Sequence, residues 1–327
     1  MLVPYNELLD TFKKILLKEG MNGDKASICA EIFAGNSRDG VHSHGLNRFP
    51  TFITHIKQGL IAIDAEPGMI SKKGVLEHWD GHLAPGMYTA SKAVAKAVGI
   101  AKENGLGMVA VKNTNHWMRG GTYGWQAADN GCIAICGTNS IANMPPWGGK
   151  EPTLGNNPLV IAVPRSNGHL VLDMAMSQYS YGKLHEHYLT GKKLAHHGGY
   201  DESGQLSTDP DAIMKSKRTL PVGLWKGSGL SLMMDVLVSS LSGGRTVGEI
   251  TASGSEYGVS QFFICISPAE LNEGIIENII AYAKSSAVTD EQSSIRYPGE
   301  STLRTRQKSM AEGVYVNDKI WQEVQAL

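Results

Sequence analysis

The chain has 327 residues, 42% of them hydrophobic and 19% charged, and its formal net charge is -1 at pH 7. This length suffices for two modest domains or one large domain, and the composition predicts a soluble globular protein. The balanced charge argues against a nucleic-acid partner and against a membrane-surface partner. The most apolar run, 230–241, is interrupted by Asp235 and is too short to span a bilayer.

The N-terminal part is predicted to be helical. Apolar side chains at helical spacing, with charged residues between them, predict an amphipathic helix over 1–20 and no signal peptide. A second helix is expected over 24–39. A third segment runs through Ile56 and ends at Gly59, which has the position of a C-cap.

The stretch 41–50 places a histidine, His44, four residues before an arginine, Arg48. A helix beginning near Ser43 would carry both on one face, because residues four apart are neighbours there. A proton-transferring histidine beside a carboxylate-binding arginine suits the chemistry of 2-oxo and 2-hydroxy acids. The alternative is that Ser43 is only an N-cap and that both side chains are ordinary surface residues.

The middle of the chain alternates between helix and strand signals. Helices are predicted over 89–104, capped by Gly105, and over 121–130, capped by Gly131. Strands are predicted over 108–112, 132–136, 159–163, 170–174 and 261–266. A long surface loop is expected over 198–221, with one helical turn near Ala212, followed by a glycine-rich turn over 221–229 and a helix through Leu241. The last 45 residues return to helix, most clearly over 274–284 and 316–327.

Four cysteines, Cys29, Cys132, Cys136 and Cys265, have no spacing typical of a disulfide framework or a zinc site. We interpret them as reduced core thiols of a cytoplasmic protein. The other histidines form no metal-ligand pattern, so no metal is predicted.

The segment 112–121 follows a strand and precedes a helix, which is a usual place for site residues in α/β proteins. Asn115 and His116 are suited to hydrogen-bonding a polar substrate, and Gly120 and Gly121 free the backbone at a helix N-terminus. The alternative is that the glycines only make a turn and that His116 is a satisfied interior group.

Three further segments are candidates. The turn-rich stretch 139–158 is typical of a functional loop. Asp173 ends a strand, where it can orient a histidine, bind a ribose hydroxyl or cap a turn. Lys226 lies among glycines before a helix, which suits a phosphate, but the order of a P-loop is absent. No G-x-G-x-x-G follows a strand, which argues against a standard Rossmann domain.

A family resemblance rests on motifs spread over the whole chain. Ser43-His44-Gly45 with Arg48, Asn115-His116-Trp117, Asn156-Asn157-Pro158, Asp173, Lys226-Gly227 and Pro298-Gly299-Glu300 resemble the type-2 malate/L-lactate dehydrogenase family. Its members are nicotinamide-dependent oxidoreductases unrelated to Rossmann dehydrogenases. The resemblance therefore implies a non-Rossmann α/β fold with a mixed sheet, and a homodimer with the active site near the subunit interface.

The resemblance also implies roles for individual residues. His44 would be the proton donor, Arg48 would clamp the substrate carboxylate, and Asp173 would orient His44. Ser43, Asn115 and His116 would contact the substrate, a small 2-oxo acid. The cofactor, NAD(H) with NADP(H) left open, would be held by three groups of residues: His169, Leu170, Val171, Leu172, Asp173, Met174 and Ala175; Trp225 and Lys226; and Gly299, Glu300 and Ser301.

Four segments of the sequence indicate the substrate. The segments 47–50, 116–121, 124–128 and 145–148 most resemble the branch of the family that reduces a six-carbon diketo acid. Malate or lactate oxidation, cyclic imino acid reduction and non-catalytic carboxylate binding are the alternatives. We expect a cofactor domain over 66–274 and a helical unit built from 1–65 and 275–327.

Overall fold

The computed structural model describes residues 1–290 and 293–327. In these ranges the helices are α1 (Tyr5–Lys18), α2 (Gly23–Arg38), α3 (Phe49–Lys57), α4 (Gly86–Asn104), α5 (Gly121–Asp129), α6 (Tyr181–Leu189), α7 (Pro210–Ser216), α8 (Trp225–Ser242), α9 (Val247–Ala252), α10 (Glu273–Lys284), α11 (Glu300–Glu312) and α12 (Asp318–Gln325). The strands are β1 (Leu2–Val3), β2 (Gly68–Lys73), β3 (Leu76–Asp80), β4 (Leu106–Thr114), β5 (Ile133–Thr138), β6 (Ala142–Met144), β7 (Leu154–Gly155), β8 (Leu159–Val163), β9 (Leu170–Met174), β10 (Gly199–Tyr200), β11 (Leu206–Ser207), β12 (Val259–Ile266) and β13 (Val314–Tyr315).

A mixed sheet forms the centre of the described chain. Its strand order is β2-β3-β4-β12-β5-β8-β9. β3 and β4 pair in parallel, because α4 crosses between them, and the other neighbours in this sheet are antiparallel. This confirms the prediction of a mixed α/β fold without a Rossmann sheet.

Helices cover both faces of the sheet. Phe263 and Cys265 of β12 face one hydrophobic core, together with buried residues of α4 and α5. Phe262 and Ile264 point to the other face, where they pack with Met234 of α8. Alternate residues of one strand thus serve two cores, as the period of a strand requires. The loops that connect these strands and helices line the cavity described below.

The two ends of the chain lie together. β1 pairs with β13, with Val3 opposite Val314. α11 packs on α2, and α12 packs on α3. The aromatic rings of Phe12, Phe33 and Phe49 fill the space between the N-terminal helices, with centroids 4.4 to 5.8 Å apart. The division into a helical unit and a cofactor domain stays a prediction.

Most predicted elements are present with shifts of a few residues at their ends, and three predictions are wrong. The single helix expected from Ser43 is two 3-10 turns, His42–His44 and Leu46–Arg48. They are separated by Gly45, whose backbone is far from helical at φ -113° and ψ -124°. The physical reason is close packing, since a Cβ at Gly45 would lie 2.2 Å from Ser37 Oγ, which accepts a hydrogen bond from the N–H of Leu46.

The other two corrections concern the region around α7 and α8. The expected long loop contains the β10–β11 hairpin, whereas the helical turn expected near Ala212 is present as α7. Asp209 caps α7 by accepting from the N–H of Asp211 and Ala212. The glycine-rich turn ends sooner than expected, because Leu224, at a positive φ of 58°, closes it and α8 begins at Trp225.

The four cysteines are buried and free. Within residues 1–290 and 293–327, no cluster of His, Cys, Asp or Glu could hold a metal ion. The same ranges contain no helix with the length and apolar character needed to cross a membrane.

Candidate active site

A cavity of about 200 Å³ lies between the 3-10 turn His42–His44 and the loops that adjoin β4, β5, β8, β9 and β12. It is lined by Val41, Ser43, His44, His116, Trp117, Met118, Arg119, Gly120, Thr138, Asn139, Ser140, Asn156, Pro158, Asp173, Ala175, Ser180 and Val259. The structure therefore brings together Ser43, His44, His116, Asp173 and Ala175 from the predicted site. These residues come from three distant parts of the sequence.

His44 forms one wall of this cavity. Its Nδ1 is 3.1 Å from the hydroxyl of Ser43, so Nε2 is the ring nitrogen left for a ligand. The ring stacks on that of His116, with centroids 5.7 Å apart and planes 9° from parallel. Burial lowers the pKa of His44 to about 3, and the positive charges of Arg48 and Arg119 act in the same direction. At neutral pH, His44 in the free site is therefore uncharged.

His116 has a defined tautomer. The backbone N–H of Met118 donates to its Nδ1 at 3.0 Å, so Nδ1 is the acceptor and the proton of the neutral ring is on Nε2. Burial, followed by the charge of Arg48, lowers its pKa to about 3 and keeps the ring neutral. Met118 and Asn113 hold left-handed backbone conformations on either side of His116. This loop thus presents Nε2–H of His116 as a hydrogen-bond donor.

Arg48 and Asn115 lie on the other side of His116. With His116 they line an adjoining hollow of about 10 Å³, which has room for about one water molecule. Arg48 Nη2 is 3.9 Å from Oε2 of Glu256, a distance that allows only a loose ion pair. The amide nitrogen of Asn115 donates to the carbonyl oxygens of Leu60, Leu83 and Ala84. Asn115 therefore ties loops together, and its contact with substrate stays a prediction.

Asp173 has other partners than the one predicted. Its Oδ2 accepts from the N–H of Gly121 at 2.8 Å and lies 3.7 Å from Nε of Arg119. Burial raises the pKa of this carboxyl group, and Arg119 and Gly121 oppose that effect. Nδ1 of His44 is paired with the hydroxyl of Ser43, and the role of Asp173 in orienting His44 stays a prediction.

Arg119 is a site residue that sequence reasoning did not identify. It lines the cavity while its Nη1 donates to Asp39 at 2.8 Å and its Nη2 to Thr302 at 3.3 Å. Arg306 also donates to both oxygens of Asp39. The cavity wall is thereby tied to α2 and α11, which no local sequence pattern indicates.

Polar residues after β5 and before β8 complete the wall. The amide oxygens of Asn139 and Asn157 both accept backbone hydrogen bonds. Asn139 accepts from the N–H of Ser260, and Asn157 accepts from the N–H of Ser140. Asn157 also donates to the carbonyl oxygen of Ser231 in α8. These hydrogen bonds hold the stretch 139–158, predicted to be a functional loop, in place against β12 and α8.

The predicted cofactor residues lie in two regions, one around β9 and Gly299 and the other at the start of α8. The backbone at Gly299 packs on the other end of β9, where a Cβ would be 3.1 Å from both His169 O and Val171 N. The N–H of Val171 donates to Pro298 O at 2.9 Å. The carboxylate of Glu300 already accepts hydrogen bonds within the protein, from Lys284, Arg304 and the N–H of Tyr297. Trp225 and Lys226 begin α8 and are exposed to solvent.

Comparison with known proteins places this fold and site in a family. The family model described as malate/L-lactate dehydrogenase matches residues 3–325. The chain therefore belongs to the malate/L-lactate dehydrogenase family. Among curated relatives, 2,3-diketo-L-gulonate reductase of Citrobacter koseri is 44% identical, and that of Klebsiella pneumoniae 43%, each over 100% of both chains.

Solved structures of dehydrogenases have the same fold as this chain. Malate dehydrogenase from Entamoeba histolytica superposes with a TM-score of 0.94 at 26% identity, covering 100% of this chain and 96% of the other. Sulfolactate dehydrogenase from Methanocaldococcus jannaschii has a TM-score of 0.89 at 29% identity, with coverages of 99% and 95%. The predictions of the family and of an oxidoreductase that acts on CH-OH groups are confirmed. The family implies a nicotinamide cofactor.

Proposed function

We propose that the chain catalyses the NADH-dependent reduction of 2,3-diketo-L-gulonate to the corresponding 2-hydroxy acid. The observation that carries this proposal is the pair of stacked neutral histidines, His44 and His116, in one wall of the cavity. The full-length relatives named 2,3-diketo-L-gulonate reductase support the substrate.

The chain's own residues would handle the oxygen that becomes a hydroxyl. Nε2–H of His116 donates a hydrogen bond to the substrate carbonyl and polarises it, and Nε2 of His44 delivers the proton. Arg48 leaves its loose contact with Glu256 and holds the substrate carboxylate through charge-assisted hydrogen bonds. A bound carboxylate adds a negative charge near His44 and raises its pKa, so substrate binding and protonation of His44 favour each other.

The residues near β9 fit a nicotinamide dinucleotide. Asp173 and Ala175 line the cavity beside His44, and the other end of β9 adjoins Gly299. Nε1 of Trp125, whose ring lies 3.5 Å from a Cβ at Gly299, is buried and has no hydrogen-bond partner among the described residues. It is therefore a donor available to a cofactor oxygen. The exposed Lys226 at the start of α8 suits a phosphate. The bound cofactor supplies the hydride that reduces the substrate carbonyl carbon.

Steady-state kinetics with a panel of acids tests the substrate. A site that hydrogen-bonds hydroxyl groups rejects analogues without them by up to about 10⁴-fold. We expect kcat/KM with NADH to be much higher for 2,3-diketo-L-gulonate than for pyruvate, oxaloacetate or a cyclic imino acid. Each acid is also assayed with NADPH. A preference for one of the smaller substrates would assign the chain to another branch of the family.

The carboxylate-binding role of Arg48 is tested by Arg48→Lys. Lysine keeps the charge but lacks the planar pair of donors, so we expect KM for the acid to rise about tenfold or more. KM for NADH is the internal control and is expected to stay the same. An unchanged KM for the acid would make Arg48 a structural residue.

We also propose that the protein is a homodimer that uses α8. Leu232, Met233 and Val236 of α8 are about half exposed, which leaves an apolar helix face uncovered in one chain. Because α8 begins with Trp225 and Lys226, the same interface would lie beside the cofactor residues. The buried free thiols support a reducing, cytoplasmic location.

Analytical ultracentrifugation tests the dimer. At micromolar concentration we expect a species of twice 35.2 kDa. Met233→Lys is expected to shift the equilibrium toward the monomer, because the charge would be buried in the interface. Leu17→Lys, at an exposed apolar position of α1, is the matched control. A stable and active wild-type species of 35.2 kDa would exclude the dimer.

A further inference from the structure

We infer that Gly182 of α6 is a positioning residue that holds the hydroxyl of Ser43 against His44. Gly182 is the second residue of α6, and the N-cap of this helix, Ser180, lines the cavity. A Cβ at Gly182 would lie 2.3 Å from Cβ and 2.7 Å from Oγ of Ser43. Only glycine permits this approach, and it leaves the Ser43 side chain no space on the side of α6.

The position of α6 is fixed independently of Ser43. Leu184 of α6 packs with Leu194 and Ile213 in a small hydrophobic core of its own. The segment that carries α6 is closed at its base by a β-bridge between Ser177 and Pro221. Since α6 has its own support, a side chain added at Gly182 would displace Ser43 rather than the helix.

Displacement of Ser43 would act on the reacting nitrogen of His44. When His44 carries a proton on both nitrogens, Nδ1–H needs an acceptor, and Ser43 Oγ lies 3.1 Å away to accept its hydrogen bond. This hydrogen bond holds the ring with Nε2 free for the substrate. It also favours the protonated form that delivers a proton. The catalytic consequence rests on the function proposed above, whereas the contacts of Gly182 with Ser43 and of Ser43 with His44 do not.

Gly182→Ala tests the inference by kinetics. We expect kcat for reduction to fall about tenfold or more and its pH profile to shift, while KM for NADH stays the same. Gly99→Ala in α4 adds a methyl group to an open helix surface and is the matched control, with no expected change. In a Ser43→Gly background, where both atoms that the methyl would meet are absent, Gly182→Ala is expected to change kcat by less than about twofold.

A second measurement does not need activity. The ¹⁵N chemical shifts of His44 report the hydrogen bond at Nδ1, and we expect Gly182→Ala to change them while Gly99→Ala does not. If Gly182→Ala fails to fold, it is expected to fold in the Ser43→Gly background, where the methyl group meets neither Cβ nor Oγ. Failure to fold in both backgrounds would overturn the inference. Unchanged His44 shifts in the folded variants would overturn the inference. A wild-type protein that reduces no oxo acid would overturn the proposed function and leave this test in place.

Discussion

His44→Ala is expected to lower kcat for oxo-acid reduction by roughly 10²–10⁴-fold, the range typical of losing a general acid. NADH binding is expected to remain, because His44 contacts the reacting oxygen in the proposed mechanism and not the residues assigned to the cofactor. Steady-state kinetics at saturating substrate gives kcat, and NADH fluorescence titration gives the binding constant. His197→Ala, at an exposed histidine outside the cavity, is the matched control and should leave both unchanged. An unchanged kcat in His44→Ala would remove this residue from the mechanism.

The direction of the pH dependence follows from the state of His44. The pKa of about 3 means that the free site holds a neutral imidazole at physiological pH. Reduction consumes a proton from His44, so kcat/KM for reduction should fall as the pH rises through the neutral range. Oxidation of the hydroxy acid needs the neutral ring as base, and its rate should not fall over that range. The opposite order in the two directions would contradict proton transfer by His44.

Asp39→Ala is expected to lower the free energy of unfolding by about 3–5 kcal/mol, as when one partner of a buried ion pair is removed. Asp39 is buried and accepts hydrogen bonds from Arg38, Arg119 and Arg306. Its loss leaves the buried guanidinium of Arg119 and the partly buried ones of Arg38 and Arg306 without this counter-charge. Chemical denaturation measures the effect. Asp211→Ala, which removes a pair with Lys215 on the surface of α7, should have little effect. Equal effects of the two substitutions would show that the network around Asp39 contributes no special stability.

The same network predicts a loss of stability in acid. Burial alone would raise the pKa of Asp39, but the hydrogen bond from Arg306 and the charges of Arg119 and Arg38 outweigh it and bring the pKa below its ordinary value. The stabilisation is therefore complete above the pKa of the unfolded chain, about 4, and is lost as the pH falls through the lower pKa of the folded chain. Asp39→Asn should remove this part of the acid dependence.

Five strands of the central sheet were predicted from the sequence, whereas β2 and β3 were not. Apolar runs gave the ends of β8 and β9 without error, because both strands are short and regular. Pro158 and Pro164 also flank β8. The break at Gly45 was not predictable from local pattern, since His44 and Arg48 have helical spacing. It depends on Ser37 of α2, which approaches Gly45 only in the folded chain.

The sequence predicted several residues of the candidate active site, but it did not predict the hydrogen bonds and ion pairs that these residues make. The motifs located His44, His116 and Asp173, and the structure places all three around one cavity. Their partners were not predictable, because each hydrogen bond depends on the local path of the backbone or on distant residues. Asp173 meets Gly121 and Arg119, which precede it by some fifty residues, and Arg119 is held by Asp39. Gly182 gave no signal in the sequence, since its importance lies in the closeness of Ser43.

Transfer of deuterium from NADH tests the central claim most directly. The protein is incubated with 2,3-diketo-L-gulonate and NADH that is deuterated at the transferable position, and the product is analysed by mass spectrometry and NMR. We expect one deuterium on the carbon that carries the new hydroxyl group in the wild type, and a greatly reduced rate of its appearance in His44→Ala. A product without deuterium, or no product at all from this acid or any other 2-oxo acid, would contradict the proposed function.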